Sequence, residues 1–243
     1  MNLIVEQGNT KLKVAIFDCG KIDSFILVDR DDTSRVNDIV RQYHPEQGII
    51  SSVVNTDEAL IIYLKEHLKY FLLPDEYTPM PIRLEYETKN TLGMDRIAAA
   101  VGGCYLQPGR NLLVIDAGTA ITYEIIESTG TYIGGNISPG LTTRFKALNE
   151  FTKRLPLVKE KNDVPLIGTS TETAIMAGVI NGITYEMDGF IDSLKAKYGD
   201  IFVFLTGGHS FYFERRLKNH IFADANLVLV GLNRILEYNA KKN

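Results

Sequence analysis

The chain contains no tryptophan and only two cysteines, Cys19 and Cys104, which lie far apart and outside any CxxC or Cys/His cluster. That spacing excludes a disulfide framework and a thiolate zinc site, and leaves buried free thiols as the expectation. Histidine is scarce as well: His44, His67, His209 and His220 share no spacing suited to a metal site or a catalytic triad. The apolar run Met1–Val5 is too short for a signal peptide, Glu6 interrupts it, and no later run is long enough to span a bilayer. A cytoplasmic protein that does not touch membrane is therefore expected. Basic charge is not in excess, since 26 Lys and Arg stand against 30 Asp and Glu for a formal charge of −4. This balance argues against a nucleic-acid partner, which calls for a basic face. There is no low-complexity tract and no solenoid period.

Against these absences, 45% of the 243 residues are hydrophobic, enough for a substantial core. Two stretches organise the rest: Leu3–Thr10 (LIVEQGNT) and Leu112–Ala120 (LLVIDAGTA). Each is a β-branched apolar run ending in a carboxylate, then a glycine with a hydroxyl residue within two positions. Such a run reads as a buried strand, and its glycine as a tight turn whose backbone N–H groups can converge on an anion. With a carboxylate at the strand end to hold a cation, each copy is half of a site for a metal-bound polyphosphate. Two copies suggest two related halves clamping one nucleotide.

Between these landmarks the first half reads βββ and then αβα. Strands are expected at Lys11–Phe17 and Asp23–Val28, after which Val36, Ile39, Val40 and Tyr43 mark a helix behind Thr33/Ser34. A strand over Gly48–Val54 precedes a helix capped by Thr56, with Leu60, Ile61, Leu64 and Leu68 on one face. Leu73–Pro81 reads as a surface connection, Ile82–Tyr86 as extended, and Gly93 opens a helix of small residues that ends at Pro108-Gly109. The boundary between halves falls there, giving segments 1–109 and 110–243. The second half repeats the meander with Leu112–Asp116, Ile121–Ile126 and Thr131–Ile137, then a helix from Gly140 to Leu148. Leu155–Val164 is expected as an exposed loop. A long helix, Ala174–Lys195, follows a cap at Ser170 or Thr171, with Gly178 and Gly182 as close-packing points. The strand Ile201–Leu205 runs into Gly207-Gly208, and helices are expected around Phe211–Leu217 and over Leu227–Tyr238, with Phe211, Tyr212 and Phe213 in a core or interface.

A βββαβα unit played twice resembles the acetate and sugar kinase, heat-shock chaperone and actin superfamily. Five motifs occur in the order and spacing of type III pantothenate kinases: Glu6–Thr10, Leu92–Ala98, Asp116–Thr122, Gly134–Gly140 and Gly168–Thr171. The resemblance covers essentially the whole chain. It implies an α/β fold of duplicated actin-like (ribonuclease H-like) domains with a cleft between them. It also implies transfer of the γ-phosphoryl group of ATP to the 4′-hydroxyl of pantothenate, the first step of coenzyme A synthesis. A divalent metal such as Mg2+, activation by K+ or NH4+, and a homodimer whose partner subunit closes the pantothenate pocket belong to the same expectation.

Residue by residue, the resemblance makes Asp95 the base that receives the hydroxyl proton, although an exposed capping Asp is the plainer reading of a helix-start carboxylate. Arg96 would pair with the pantothenate carboxylate, against the alternative of a helix-surface ion pair. Tyr86, Gly93, Met94 and Thr171 would complete the substrate pocket, with an N-cap an equal explanation for Thr171. Glu6, Gln7, Gly8, Asn9, Thr10, Lys11 and Lys13, with Gly118 and Thr119, would meet ATP; Asp116 and Glu6 would hold metal. Gly134, Gly135 and Gly140 would shape the turn beside the substrate. Gly207-Gly208 would admit the adenosine or simply turn the chain, and His209 reads as an ordinary helix-start histidine. One departure stands out: the family usually has Asp where this chain has Glu6. A displaced metal carboxylate keeps a second class open, a nucleotide- or pantothenate-binding regulatory accessory protein of weak or no turnover.

Overall fold

A computed structural model describes residues 1–52 and 57–241, which group into two compact units. Unit 1 comprises Met1–Pro108, Gly130–Tyr132 and Asn226–Asn243; unit 2 comprises Gly109–Thr129 and Ile133–Ala225. The last helix thus groups with the first half of the chain.

In unit 1, β1 (Asn2–Gln7), β2 (Lys11–Asp18) and β3 (Lys21–Asp29) form an antiparallel meander. After α1 (Ser34–Tyr43), β4 (Gln47–Ser52) joins β1 in parallel; after α2 (Glu58–His67), β5 (Tyr70–Leu72) joins β4. The order is β3-β2-β1-β4-β5. β1 is apolar almost throughout because both of its faces are covered. Leu3 and Val5 pack with Leu12, Val14 and Ile16 against Val36 and Val40 of α1 and Leu60 and Leu64 of α2. On the opposite face Ile4, Ala15 and Phe17 are also buried, where α7 (Leu227–Ala240) lies against β1 and β4 and α3 (Met94–Leu106) against β4 and α7.

The expected cap Thr56 and the strand end Val53–Val54 lie outside the described residues; the N-cap of α2 is Asp57, whose carboxylate accepts from Ala59 N at 2.9 Å. The extended stretch Ile82–Tyr86 shrinks to β6 (Arg83–Leu84), paired in parallel with Thr131–Tyr132. Cys19 is exposed rather than buried, because it sits in the β2–β3 turn with φ 48°; Cys104 is half-buried, and both are free.

Unit 2 repeats the scheme. β7 (Leu112–Ala117) pairs antiparallel with β8 (Ala120–Glu127), and β8 lies beside β9 (Thr131–Pro139). α4 (Leu141–Glu150) and α5 (Thr171–Tyr198) then lead to β10 (Phe202–Thr206), parallel to β7, and α6 (Ser210–Glu214) to β11 (Phe222–Ala223), parallel to β10. The order β9-β8-β7-β10-β11 is that of unit 1, with two helices where unit 1 has one. Its core joins Leu113, Ile115 and Tyr123 to Ile180, Ile183 and Met187 of α5.

Three local expectations change here. Gly178 and Gly182 are not close-packing points, since a Cβ on either would meet nothing within 4 Å among the described residues. Phe213 is fully buried but Phe211 points outward at 59% exposure. Val158, inside the expected exposed loop, is buried in the unit 2 core because the apolar side of that segment folds back onto it. Among the described residues, no helix is long and apolar enough to cross a membrane.

Candidate functional site

The turn between β1 and β2 is closed by Gly8 N donating to Lys11 O at 2.9 Å. It is steadied from the residue just past β3, where Arg30 N donates to Thr10 O and Arg30 Nη1 to Asn9 O, each at 3.3 Å. Gln7 is buried and its amide is engaged structurally, donating to Arg30 O at 3.3 Å and accepting from Ser52 Oγ at 3.0 Å. Asn9 and Thr10 are exposed at the tip. Lys11 pairs with Asp29 in solvent. Glu6 and Lys13 stand opposite one another across the strands, and Lys13 Nζ reaches both carboxylate oxygens, at 3.0 and 3.2 Å.

Elsewhere in unit 1, Gly93 is the extended N-cap of α3. A Cβ there would lie 2.4 Å from Asp95 Oδ1, which accepts from Arg96 N at 2.9 Å. The Asp95 carboxylate thus folds back over the helix start. Asp95 therefore does cap its own helix, using one oxygen. Arg96 is only 7% exposed, so its side chain does not lie on the helix surface. Its guanidinium lies 5.8 Å from the Tyr86 ring centroid, and Tyr86 meets Tyr132 edge-on at 6.0 Å. Arg96, Tyr86 and Asp95 are thus gathered at one helix start.

In unit 2 the end of β7 collects a second set of turns. Gly118 N donates to Ala120 O at 3.0 Å, while Thr119 O accepts from Gly140 N at 3.0 Å and from Thr143 Oγ1 at 2.7 Å. A Cβ on Gly140 would lie 2.2 Å from Gly118 O, so only glycine lets α4 start this close. Gly207, at φ 92°, approaches from the other side: a Cβ on it would fall 2.3 Å from Asp116 Oδ1 and 2.7 Å from the Ala117 backbone. His209 N then donates to Ala117 O at 3.1 Å. Thr206 is in register with Asp116 on the neighbouring strand. The buried Thr206 Oγ1, Ser210 Oγ and His209 Nδ1 have no hydrogen-bond partner among the described residues. Thr171 stands apart on the first turn of α5, exposed; the cap is Ser170, which forms a reciprocal box with Thr173.

A polar cluster in unit 2 was not anticipated. Glu186, in the middle of α5, accepts from Tyr123 OH at 2.7 Å and Ser138 Oγ at 2.6 Å and pairs with Arg144 at 2.5 Å; Arg144 Nε donates to Pro139 O at 2.7 Å. Burial alone would raise the Glu186 carboxyl, but hydrogen bonds from Ser138, Arg144 and Tyr123 and the Arg144 charge outweigh it and hold it below its usual value. Burial, and then the Glu186 carboxylate, push the Tyr123 phenol well up, so it stays a donor. The cluster fixes Ser138–Pro139 just before Gly140. The four residues are too scattered in sequence for any spacing rule to have found them.

The repeated strand order, with a carboxylate and a glycine turn at the end of each first strand, defines the actin-like ATPase and sugar-kinase fold. Solved structures share it: a Baf family protein from Campylobacter jejuni (TM-score 0.61, 24% identity, 98% of this chain and 99% of that one) and the activator of 2-hydroxyisocaproyl-CoA dehydratase from Clostridium difficile, with bound ADPNP (TM-score 0.54, 13% identity, 99% and 94%). Within that class the chain belongs to the type III pantothenate kinase family, whose model matches residues 2–193. A type III pantothenate kinase of Phocaeicola vulgatus is 48% identical over 99% of this chain and 100% of its own, and one of Porphyromonas gingivalis is 46% identical over 98% of each. The chain is thus a kinase, and that class of enzyme uses ATP with a divalent cation.

Proposed function

We propose that this protein phosphorylates the 4′-hydroxyl of pantothenate with the γ-phosphoryl group of ATP, opening coenzyme A synthesis. The observation that carries the reading is family membership over the full chain together with the α3 start, where Asp95, Arg96 and Tyr86 converge. Phosphoryl transfer needs in-line positioning, neutralised charge and a proton acceptor rather than covalent help from the protein. Asp95 would take the hydroxyl proton on the carboxylate oxygen that does not cap α3. Arg96 would hold the pantothenate carboxylate with its fork of donors, against the half-buried Tyr86. Gly93 and Met94 would line the same pocket, and Thr171 would also contact pantothenate.

The turns Gly8–Thr10 and Gly118–Thr119, with Lys11 and Lys13, would carry the ATP phosphates. Gly207-Gly208 would let the nucleoside approach the backbone. Asp116 and Glu6 are the strand-end carboxylates that would hold a divalent cation, whose contribution when bound is to neutralise charge on the phosphates. The orphaned Thr206 hydroxyl beside Asp116 supplies a hard oxygen of the type K+ or NH4+ prefers, which supports monovalent activation.

A homodimer is part of the reading. It is supported by an apolar groove of about 540 Å³ between α4 and α5, flanked by Phe151 at 86% exposure and lined by Leu148, Ile175 and Val179. We further propose that segments 1–109 and 110–243 descend from one duplicated unit and that the protein works in the cytoplasm. The assay is ATP-dependent phosphorylation of pantothenate with Mg2+, with and without K+ or NH4+. Turnover that requires the monovalent cation supports the assignment, and none with any cation overturns it.

A further inference from the structure

Glu6 and Lys13 are direct partners in the β1–β2 register, on the sheet face shared with Ile4, Ala15 and Phe17. Partners so placed have Cβ atoms about 4.5–5.5 Å apart. Lys13 Nζ lies 3.0 Å from Glu6 Oε2 and 3.2 Å from Oε1, with side chains 26% and 16% exposed. Both carboxylate oxygens are thus turned to the ammonium. By contrast the neighbouring pair Lys11–Asp29 is open to solvent at 50% and 84% exposure, where long side chains gain little from pairing. The two pairs flank the same turn, but only the inner one is shielded.

An aspartate at position 6 would carry its carboxylate back by about one C–C bond, roughly 1.5 Å, and the contact would open. The longer side chain is therefore matched to Lys13. A carboxylate committed to an ammonium through both oxygens is also a poor partner for a divalent cation, because the two positive charges would compete for the same site. The ammonium keeps donors in reserve, since it has three N–H groups and Glu6 takes at most two of them.

We propose that Glu6 is a positioning residue for nucleotide binding: it holds the Lys13 ammonium beside the Gly8–Thr10 turn, where a remaining N–H donates to a phosphate oxygen of ATP. Divalent-cation binding then falls to Asp116. This rests on the nucleotide-binding reading of the turn given above.

The test is calorimetric binding of a non-hydrolysable ATP analogue to the full chain, in EDTA and across a Mg2+ titration. The parent, Glu6→Asp, Lys13→Met and the double variant are compared, with thermal melts to confirm that each is folded. Glu6→Asp preserves charge and removes only reach. The expected result is a weakening of metal-free binding by about 3–10-fold in Glu6→Asp, the loss of one charge-assisted contact. That loss should vanish in the Lys13→Met background, and the Mg2+ midpoint should not move. Unchanged metal-free affinity with a shifted Mg2+ midpoint would overturn the proposal in favour of a metal ligand; additive losses in the double variant would overturn it too. A parent that fails to bind the analogue sinks the nucleotide reading of the turn and the proposal with it. A parent that binds the analogue but leaves pantothenate unphosphorylated sinks only the substrate assignment.

Discussion

A Cβ on Gly231 would lie 1.8 Å from the carbonyl oxygen of Ala98, so α7 and α3 meet backbone against backbone. Gly102 makes the reciprocal approach, with a Cβ there 2.4 Å from Leu227 O. Neither helix can yield without disturbing the sheet they pack on, α7 against β1 and β4 and α3 against β4. Gly231→Ala is expected to destabilise the protein by about 1–3 kcal/mol through overpacking, a fall of roughly 2–4 °C in Tm for each kcal/mol. Gly182→Ala, on open ground in α5, is expected to stabilise by about 0.5–1 kcal/mol through helix propensity. Thermal unfolding of the two variants should move in opposite directions; equal shifts would refute the backbone-contact argument.

At the start of α5 the structural and the proposed functional hydroxyls are neighbours. Ser170 accepts from Thr173 N at 3.2 Å and so carries the cap, while Thr171 makes no such bond. Ser170→Ala should cost about 1 kcal/mol of stability. Thr171→Val should leave Tm within about 0.5 kcal/mol equivalent and raise KM for pantothenate. Denaturant unfolding combined with steady-state kinetics separates the two, and a Tm loss in Thr171→Val would return that residue to a capping role.

These cases show which parts of the molecule were legible in the sequence. The meander of each unit could be read because strand ends are marked by local chemistry: a carboxylate and a glycine after an apolar run. The grouping of α7 with the first unit could not, because nothing in Leu227–Ala240 names its partner; the signal is one glycine, Gly231, that answers another in α3. Gly178 and Gly182 carried the same symbol without the same function, since a glycine in a helix reads alike whether it faces a backbone or open space. Asp95, Arg96 and Tyr86 are singled out by motif resemblance, whereas the burial of Arg96 is a tertiary fact. Glu186 was invisible because its three partners come from β8, β9 and α4, and no spacing links them.

Glu186 also sets an acid limit. Its carboxyl sits below its ordinary value of 4.5 in the folded protein, so ionisation contributes stability at neutral pH that is lost as pH falls below about 4.5 through the folded value. Above that window no change is expected from this group. Glu186→Gln should lower Tm at pH 7 and converge on the parent at low pH, where the parent carboxyl is protonated as well. Parallel Tm curves from pH 3 to 7 would show that the cluster contributes packing but no charge-dependent stability.

In the proposed reaction the α3 start is central, because one carboxylate there would do two things. Asp95 Oδ1 accepts from Arg96 N, which leaves the other oxygen to accept a proton. Asp95→Asn keeps the cap but cannot take the proton, so kcat should fall by about 10²–10⁴-fold with KM for pantothenate and Tm little changed. Arg96→Lys is the complementary change. It keeps the charge but loses the planar fork and the face presented to Tyr86, 5.8 Å away. It should raise KM for pantothenate by about 10-fold or more while kcat at saturation falls less, because the proposed bidentate contact to the substrate carboxylate would serve ground state and transition state alike. Steady-state kinetics on both variants decides the division of labour. If Asp95→Asn raised KM and spared kcat, the carboxylate would be a binding group, and the proton would have to leave by another route.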